Sequence, residues 1–461
     1  TRKESSAASD VYKRQDMEAG STSGAGYTNG AGSSEYKMLS YFARVNYTLM
    51  DRYLFEVNMR ADASSRFHKD HRWGYFPSFS AGWRMSEESF MKDIEWINNL
   101  KIRASYGTLG NINNVGNYDY FQNYSSGNHY NFSDSPVIGI GESKPANETL
   151  GWEKVALTDI GLDFDIFNGL LGVTADYYIK NTSDILLGYN VPTETGITAA
   201  PSQNIGKVKN TGFELALNHR NKIGAVNYSI GANIATNKNK ITNLGGSDNI
   251  IQTSSYIVKY ILKKGESIGS FYGFKTDGLY TQADIDAGHY YTLSGVVPNA
   301  GDIKFVPQRD IEYKQEITDE DRTILGKDVP DFTYGVNLSL QYKGFEFSMF
   351  GQGISGTKVA FDVYGVHPFY HGQDSPRKYH LKRWTEENPN PHAAYPRIYS
   401  ASSVHTTYNR NFSDYHLFDS DYFRFKTLSL GYTVPSATVK NWGLQSLKVY
   451  VTCLLYTSDA A

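Results

Sequence analysis

Residues 41–60 read YFARVNYTLMDRYLFEVNMR. Tyr41, Ala43, Val45, Tyr47 and Leu49 alternate with Phe42, Arg44, Asn46 and Thr48, so an extended chain carries one apolar face and, Phe42 apart, one polar face. Met50, Asp51 and Arg52 supply a turn. Tyr53, Phe55, Val57 and Met59 then resume the apolar face against Glu56, Asn58 and Arg60. Two period-two segments around a tight turn make a hairpin. One such hairpin suits a soluble sandwich as well as a membrane barrel, so its repetition along the chain decides the fold.

The pattern returns. Leu171, Val173, Ala175, Tyr177 and Ile179 alternate with Thr174, Asp176 and Lys180. Phe332, Tyr334, Val336, Leu338, Leu340 and Tyr342 oppose Thr333, Asn337, Ser339 and Gln341, and after Lys343 and Gly344 the apolar face continues through Phe345, Phe347 and Met349. About twelve strands are expected, near 39–50, 52–61, 73–85, 99–107, 152–167, 170–181, 204–219, 224–236, 331–343, 344–353, 421–434 and 446–452. Short or middle-length connections (50–52, 86–98, 167–170, 219–225, 342–345, 435–445) alternate with connections that are mostly longer (62–72, 108–151, 182–203, 237–330, 354–420). That parity belongs to an antiparallel transmembrane β-barrel with short periplasmic turns and long extracellular loops.

Composition agrees. The 461 residues are 20% charged and 14% aromatic, with 36 Tyr and 42 Gly. No stretch approaches the roughly 20 apolar residues of a membrane helix, so any membrane role falls to strands. A net charge of −3 gives no reason to expect nucleic acid. The single cysteine, Cys453, rules out an intrachain disulfide framework. The N-terminal TRKESSAASDVYKRQD has no apolar signal-peptide core. Residues 1–15 and 453–461 resemble translated sequencing-adapter tails and are read as non-native. Residues 16–38, rich in Gly and Ser, read as a flexible loop, and residues 39–452 as a partial outer-membrane β-barrel.

Six blocks in order carry a family resemblance: 41–91 with NNLKIRASYGTLGN, GWEKVALTDIGLDFDIFNGLLGVTADYYIKNTSDILL, NIGKVKNTGFELAL, SIGSFYGFKTDGLY, DRTILGKDVPDFTYGVNLSLQYKGFEFSMFGQG and DYFRFKTLSLGYTVP. Together they resemble the barrel of SusC/RagA-type TonB-linked outer-membrane importers. The resemblance implies an all-β barrel of about twenty-two strands, of which about half is present here. It also implies a plug and TonB-contacting segment N-terminal to this chain, and a SusD-like surface lipoprotein acting as lid. The implied activity is import of a bulky nutrient, an oligosaccharide or oligopeptide, across the Gram-negative outer membrane. A passive porin or surface adhesin on the same barrel is the alternative.

The chain is read as carrying no catalytic signature, and a non-enzymatic function without cofactor or metal is expected. Asp319 and Asp321 stand where family members often carry a calcium-like loop, but the Asp-x-Asn-x-Asp-Gly core is missing, so a solvated acidic turn is expected. His367 and His371 are four apart, with His380 nearby, but Pro368 opposes the helix that would align them. Loop aromatics are the candidates for substrate contact: Tyr118, Tyr120 and Phe121 in one loop, and Tyr364, Phe369, Tyr370 and Trp384 in another, by stacking on sugars or gripping peptides. Phe271, Tyr272, Phe274, Asp277 and Tyr280, within the block SIGSFYGFKTDGLY, are the candidates for contact with the lid.

Overall fold

The computed structural model describes residues 34–132, 135–188, 202–253, 257–362, 366–369 and 374–455. Twelve long strands follow one another in a single antiparallel path: β1 (Met38–Leu49), β2 (Tyr53–Ser64), β3 (Trp73–Arg84), β4 (Ile97–Asn111), β5 (Glu153–Ile166), β6 (Leu171–Gly188), β7 (Ser202–Ile223), β8 (Val226–Thr236), β9 (Phe332–Tyr342), β10 (Phe345–Ser355), β11 (Tyr422–Thr433) and β12 (Lys448–Leu454). Every expected strand is present. The tight turns follow from local chemistry. Lys343 and Gly344 both take positive φ (45° and 89°), the mirror-image turn whose twist matches that of the flanking strands.

Pairing register keeps the two faces continuous from strand to strand. On one face Tyr47 lies across from Phe55, Phe55 from Ala81, Ala81 from Ala104, Ala104 from Ile160, Ile160 from Tyr177 and Tyr177 from Phe213. On the other, Asn46, Glu56, Ser80, Ser105, Asp159 and Tyr178 form a row, and farther on Ser229, Ser339, Ser348, Ser429 and Thr452 make another, all hydroxyl. A one-residue slip in any pair would turn every side chain of that strand to the wrong face, so the two-faced pattern itself fixes the register. Tyr47, Ile160 and Tyr177 are 59%, 56% and 49% exposed, which suits an apolar face built to meet lipid. β1 and β12 each pair on one side only, so the path among the described residues is open.

The loops depart from the expectation of plain connections. β6 runs to Gly188, well past the segment expected for it, and β7, from Ser202 to Ile223, is at 22 residues about twice what a membrane-spanning strand needs. Lys238–Leu244 prolongs β8 and pairs with the upper part of β7. Asn123–Phe132 and Ser135–Lys144 form a hairpin. Short runs such as KYILK (Lys259–Lys263), SFYG (Ser270–Gly273) and TILGK (Thr323–Lys327) build a small sheet with Asn249–Thr253. These runs are too brief to announce themselves by periodicity. The principal buried cluster lies here and not in the sheet: Phe274, Leu279, Leu293, Ile303, Phe305, Ile317, Trp384 and Tyr408. Cys453 pairs with Leu428 inside β12, while residues 1–33 and 456–461 lie outside the described residues.

Candidate functional site

The polar face is charged as well as wet. Arg103 on β4 reaches Asp163 on β5 at 3.1 Å and Asp176 on β6 at 2.8 Å, with Asp159 at 3.6 Å, and Lys101 lies 3.5 Å from Asp163. The cross-strand crossing is possible because residue 161 is glycine: a Cβ there would stand 2.2 Å from Asp176 Oδ1 and 2.6 Å from Arg103 Cζ. Such charges would be very costly against lipid, so this face lines a hydrated space.

Above the sheet, the two longest connections are bound into one body. Phe274 N donates to Phe412 O at 3.0 Å and Asp414 N to Phe274 O at 3.1 Å. Thr276 Oγ1 donates to Asp414 Oδ1 at 2.6 Å, Leu279 N to Pro391 O at 2.8 Å and Arg397 N to Gly301 O at 2.8 Å. At the centre, buried Asp302 accepts from Asn299 N (2.8 Å) and Asn409 Nδ2 (2.9 Å), with His405 Nδ1 at 2.8 Å. Asn409 Oδ1 in turn accepts from Ile303 N at 2.8 Å. Burial pushes the Tyr408 hydroxyl well above its ordinary range and that of Tyr280 to about 12, as expected inside a packed core.

The acidic turn is not simply solvated. Glu320 is exposed, but the Asp321 side chain is fully buried: Arg309 Nη2 donates to it at 2.7 Å and Nε at 3.1 Å, and it also accepts from the backbone amides of Gln308, Arg309 and Thr318. Asp321 is thus consumed by an internal cation. His380 is likewise occupied, its Nδ1 accepting from Arg377 N (2.8 Å) and its Nε2 donating to Val366 O (2.9 Å). His371 lies outside the described residues. One Gly-x-Ser-x-Gly, Gly265–Gly269, escaped the sequence reading. It joins two strands and leads into no helix, and Ser267 Oγ donates to Ile268 O (2.9 Å), a turn with no nucleophile geometry.

Tyr118, Tyr120 and Phe121 come together. The Tyr120 and Phe121 rings are 4.3 Å apart, Tyr118 is 6.2 Å from Phe121, and Tyr118 and Phe121 are exposed. Tyr118 holds a positive φ of 67° and its hydroxyl donates to Glu35 O, so the patch is fixed in place. Phe369, also at positive φ (57°), has its carbonyl clamped by Arg410 Nη2 at 2.6 Å. Trp384 is 4% exposed, in the same cluster as Phe274, with Arg397 over its ring. Its indole packs loops and is not presented to a substrate. Tyr364 and Tyr370 lie outside the described residues. Of the lid candidates, Phe271, Phe274 and Tyr280 are buried and act as internal anchors, because fully packed rings offer a partner no surface. Tyr272 is half-buried and Asp277 exposed.

The family model described as TonB dependent receptor-like, beta-barrel matches residues 4–452. TonB-dependent receptor P3 of Formosa agariphila is 32% identical over 424 residues, covering 91% of this chain and 40% of that protein. TonB-dependent receptor SusC of Bacteroides thetaiotaomicron is 34% identical over 318 residues, covering 68% of this chain and 30% of that protein. Among solved structures, that of the RagAB peptide transporter superposes with a TM-score of 0.72 at 24% identity, covering 96% of this chain and 47% of the other, a likeness of fold. The chain therefore spans less than half the length of each. With an apolar face for lipid, a charged face for water and this match across nearly its whole length, the chain belongs to the TonB dependent receptor-like β-barrel family of the Gram-negative outer membrane.

Proposed function

We propose that the chain is the barrel portion of a TonB-dependent importer that carries a bulky nutrient, an oligosaccharide or oligopeptide, across the outer membrane. Translocation makes and breaks no bond in the cargo. A SusD-like lipoprotein closes over the loops as a lid, and the TonB complex acts through segments N-terminal to this chain. The observation that carries the reading is the joining of a wide, polar-faced sheet to two long loops locked into one cap. A passive pore has no need of so well packed a superstructure. The exposed patch of Tyr118 and Phe121 is the proposed cargo contact, and Tyr272 and Asp277 the proposed lid contacts.

The test is a strain lacking the full-length protein, supplied with single glycans or single peptides as the nutrient. Loss of growth on one class of bulky cargo, with small sugars and amino acids unaffected and a surface lipoprotein co-purifying with the receptor, is the expected result. An equal loss for all small solutes and no dependence on TonB would instead mark a diffusion pore.

A further inference from the structure

A cavity of about 90 Å³ opens within the cap, between the segment 366–369, the extended stretch 394–399 and the turn that carries His416. Its walls are apolar, with Phe361, Pro368, Phe369, Pro396, Ile398 and Phe418 among the lining residues. Several of the polar groups around it are already committed. Arg410 donates to the carbonyls of Pro368 (2.9 Å) and Phe369 (2.6 Å), and His416 Nδ1 lies 3.1 Å from Ser413 Oγ. Burial pushes the His416 imidazole down to about 3 and lowers that of His367, so both are neutral at ordinary pH. The wall is also built under strain, because Phe369 holds a positive φ of 57° that Arg410 pins through its carbonyl. Strained residues of this kind gather at ligand clamps.

Size and chemistry narrow the occupant. A hexose carries hydroxyls around its whole edge, and burying them against walls that are mostly apolar is costly. An engineered cavity that accepts benzene measures roughly 150 Å³, so the present one suits a slimmer, aliphatic group. We propose that this cavity receives one aliphatic side chain, of leucine or methionine size, from an oligopeptide cargo. The assignment rests on the import reading above and selects peptide over glycan within it.

Ala394 lines the cavity from an exposed position, so enlarging it fills the mouth without forcing a side chain into the core. The experiment is calorimetric titration of the detergent-purified full-length receptor with acetyl-Ala-Leu-Ala amide, acetyl-Ala-Ser-Ala amide and maltotriose. The leucine peptide is expected to bind about ten-fold or more tightly than the serine peptide, and Ala394→Trp to abolish the preference. Phe369→Ala, which widens the cavity, should let acetyl-Ala-Phe-Ala amide compete with the leucine peptide. Equal binding of the two peptides, displacement of the leucine peptide by maltotriose, or an unchanged preference in Ala394→Trp overturns the proposal. So does an Ala394→Trp variant that keeps the preference but loses a co-purifying protein, since the cavity would then seat a partner's side chain. The import reading fails separately, if the deletion strain shows no uptake defect while the purified receptor still discriminates between the peptides.

Discussion

At Asp321, burial by itself would raise the carboxyl, but the Arg309 guanidinium and the amides of Thr318, Arg309 and Gln308 outweigh it and hold the group at about 2, against an ordinary 3.8. A folded-state value below the unfolded one means the stabilisation is complete above about pH 4 and disappears as pH falls from there towards 2. Hydrogen exchange across residues 307–322 should therefore be slow at pH 6 and accelerate near pH 3. Arg309→Ala should remove the protection at both, since it leaves the buried Asp321 carboxylate without its cation. Exchange in the variant that matches the parent at pH 6 would refute this account. Read from the sequence, the turn was only acidic. Nothing local says that an arginine twelve positions earlier folds back onto one carboxylate and leaves its neighbour Glu320 in solvent. Gly161 makes the same point from the other side. Its place in an alternating strand was legible, but its necessity was not, because the reason is Arg103 and Asp176 arriving from the neighbouring strands. Gly161→Val should lower the unfolding temperature of the full-length barrel in detergent, at a cost of about 1–3 kcal/mol for overpacking. An unchanged heat-modifiable gel shift would count against it.

Among the elements, all twelve long strands were legible because each carries its own period-two signal and its own turn. The lower ends were placed well by turn residues such as Lys343 and Gly344. The upper end of β6 was missed, because strand pairing continues above the membrane where alternation no longer has to separate lipid from water. The union of the two long loops was invisible for a different reason. Its bonds join residues more than a hundred positions apart, as Asp302 with Asn409 and Thr276 with Asp414, and no local pattern encodes them. This also explains why Phe271, Phe274, Tyr280 and Trp384 looked like contact residues: an aromatic in a loop reads as available until the loop is seen to have a core of its own. Asn409→Ala should expose the arrangement. It leaves both Asp302 and the Ile303 amide short of a partner, each costing roughly 1–3 kcal/mol, so protease cuts in 257–331 and in 374–420 should appear together at the same rate. Cleavage confined to one loop would mean the two do not share a unit of stability.

For the molecule as a whole, the open path decides how this chain behaves when made alone. β1 is exposed at every position, and so is β12, and the partner-free edge of each presents a row of backbone donors and acceptors. In lipid each unsatisfied group costs several kcal/mol, and in water the same edges sit beside a broad apolar face that includes Tyr41, Val45 and Val451, all more than half exposed. Edge pairing between chains and burial of that face both favour association. The cap, with its own buried cluster, does nothing to cover them, since its contacts run between loops. The 461-residue chain expressed by itself should therefore sediment as aggregate without detergent, and in detergent should elute as a range of oligomers that conduct no cargo. Extension to the full-length protein should convert it to one heat-modifiable species. Recovery of this chain as a soluble monomer, or a β1-to-β12 cross-link formed within a single chain at high yield, would show that the edges are satisfied and that the sheet closes on itself.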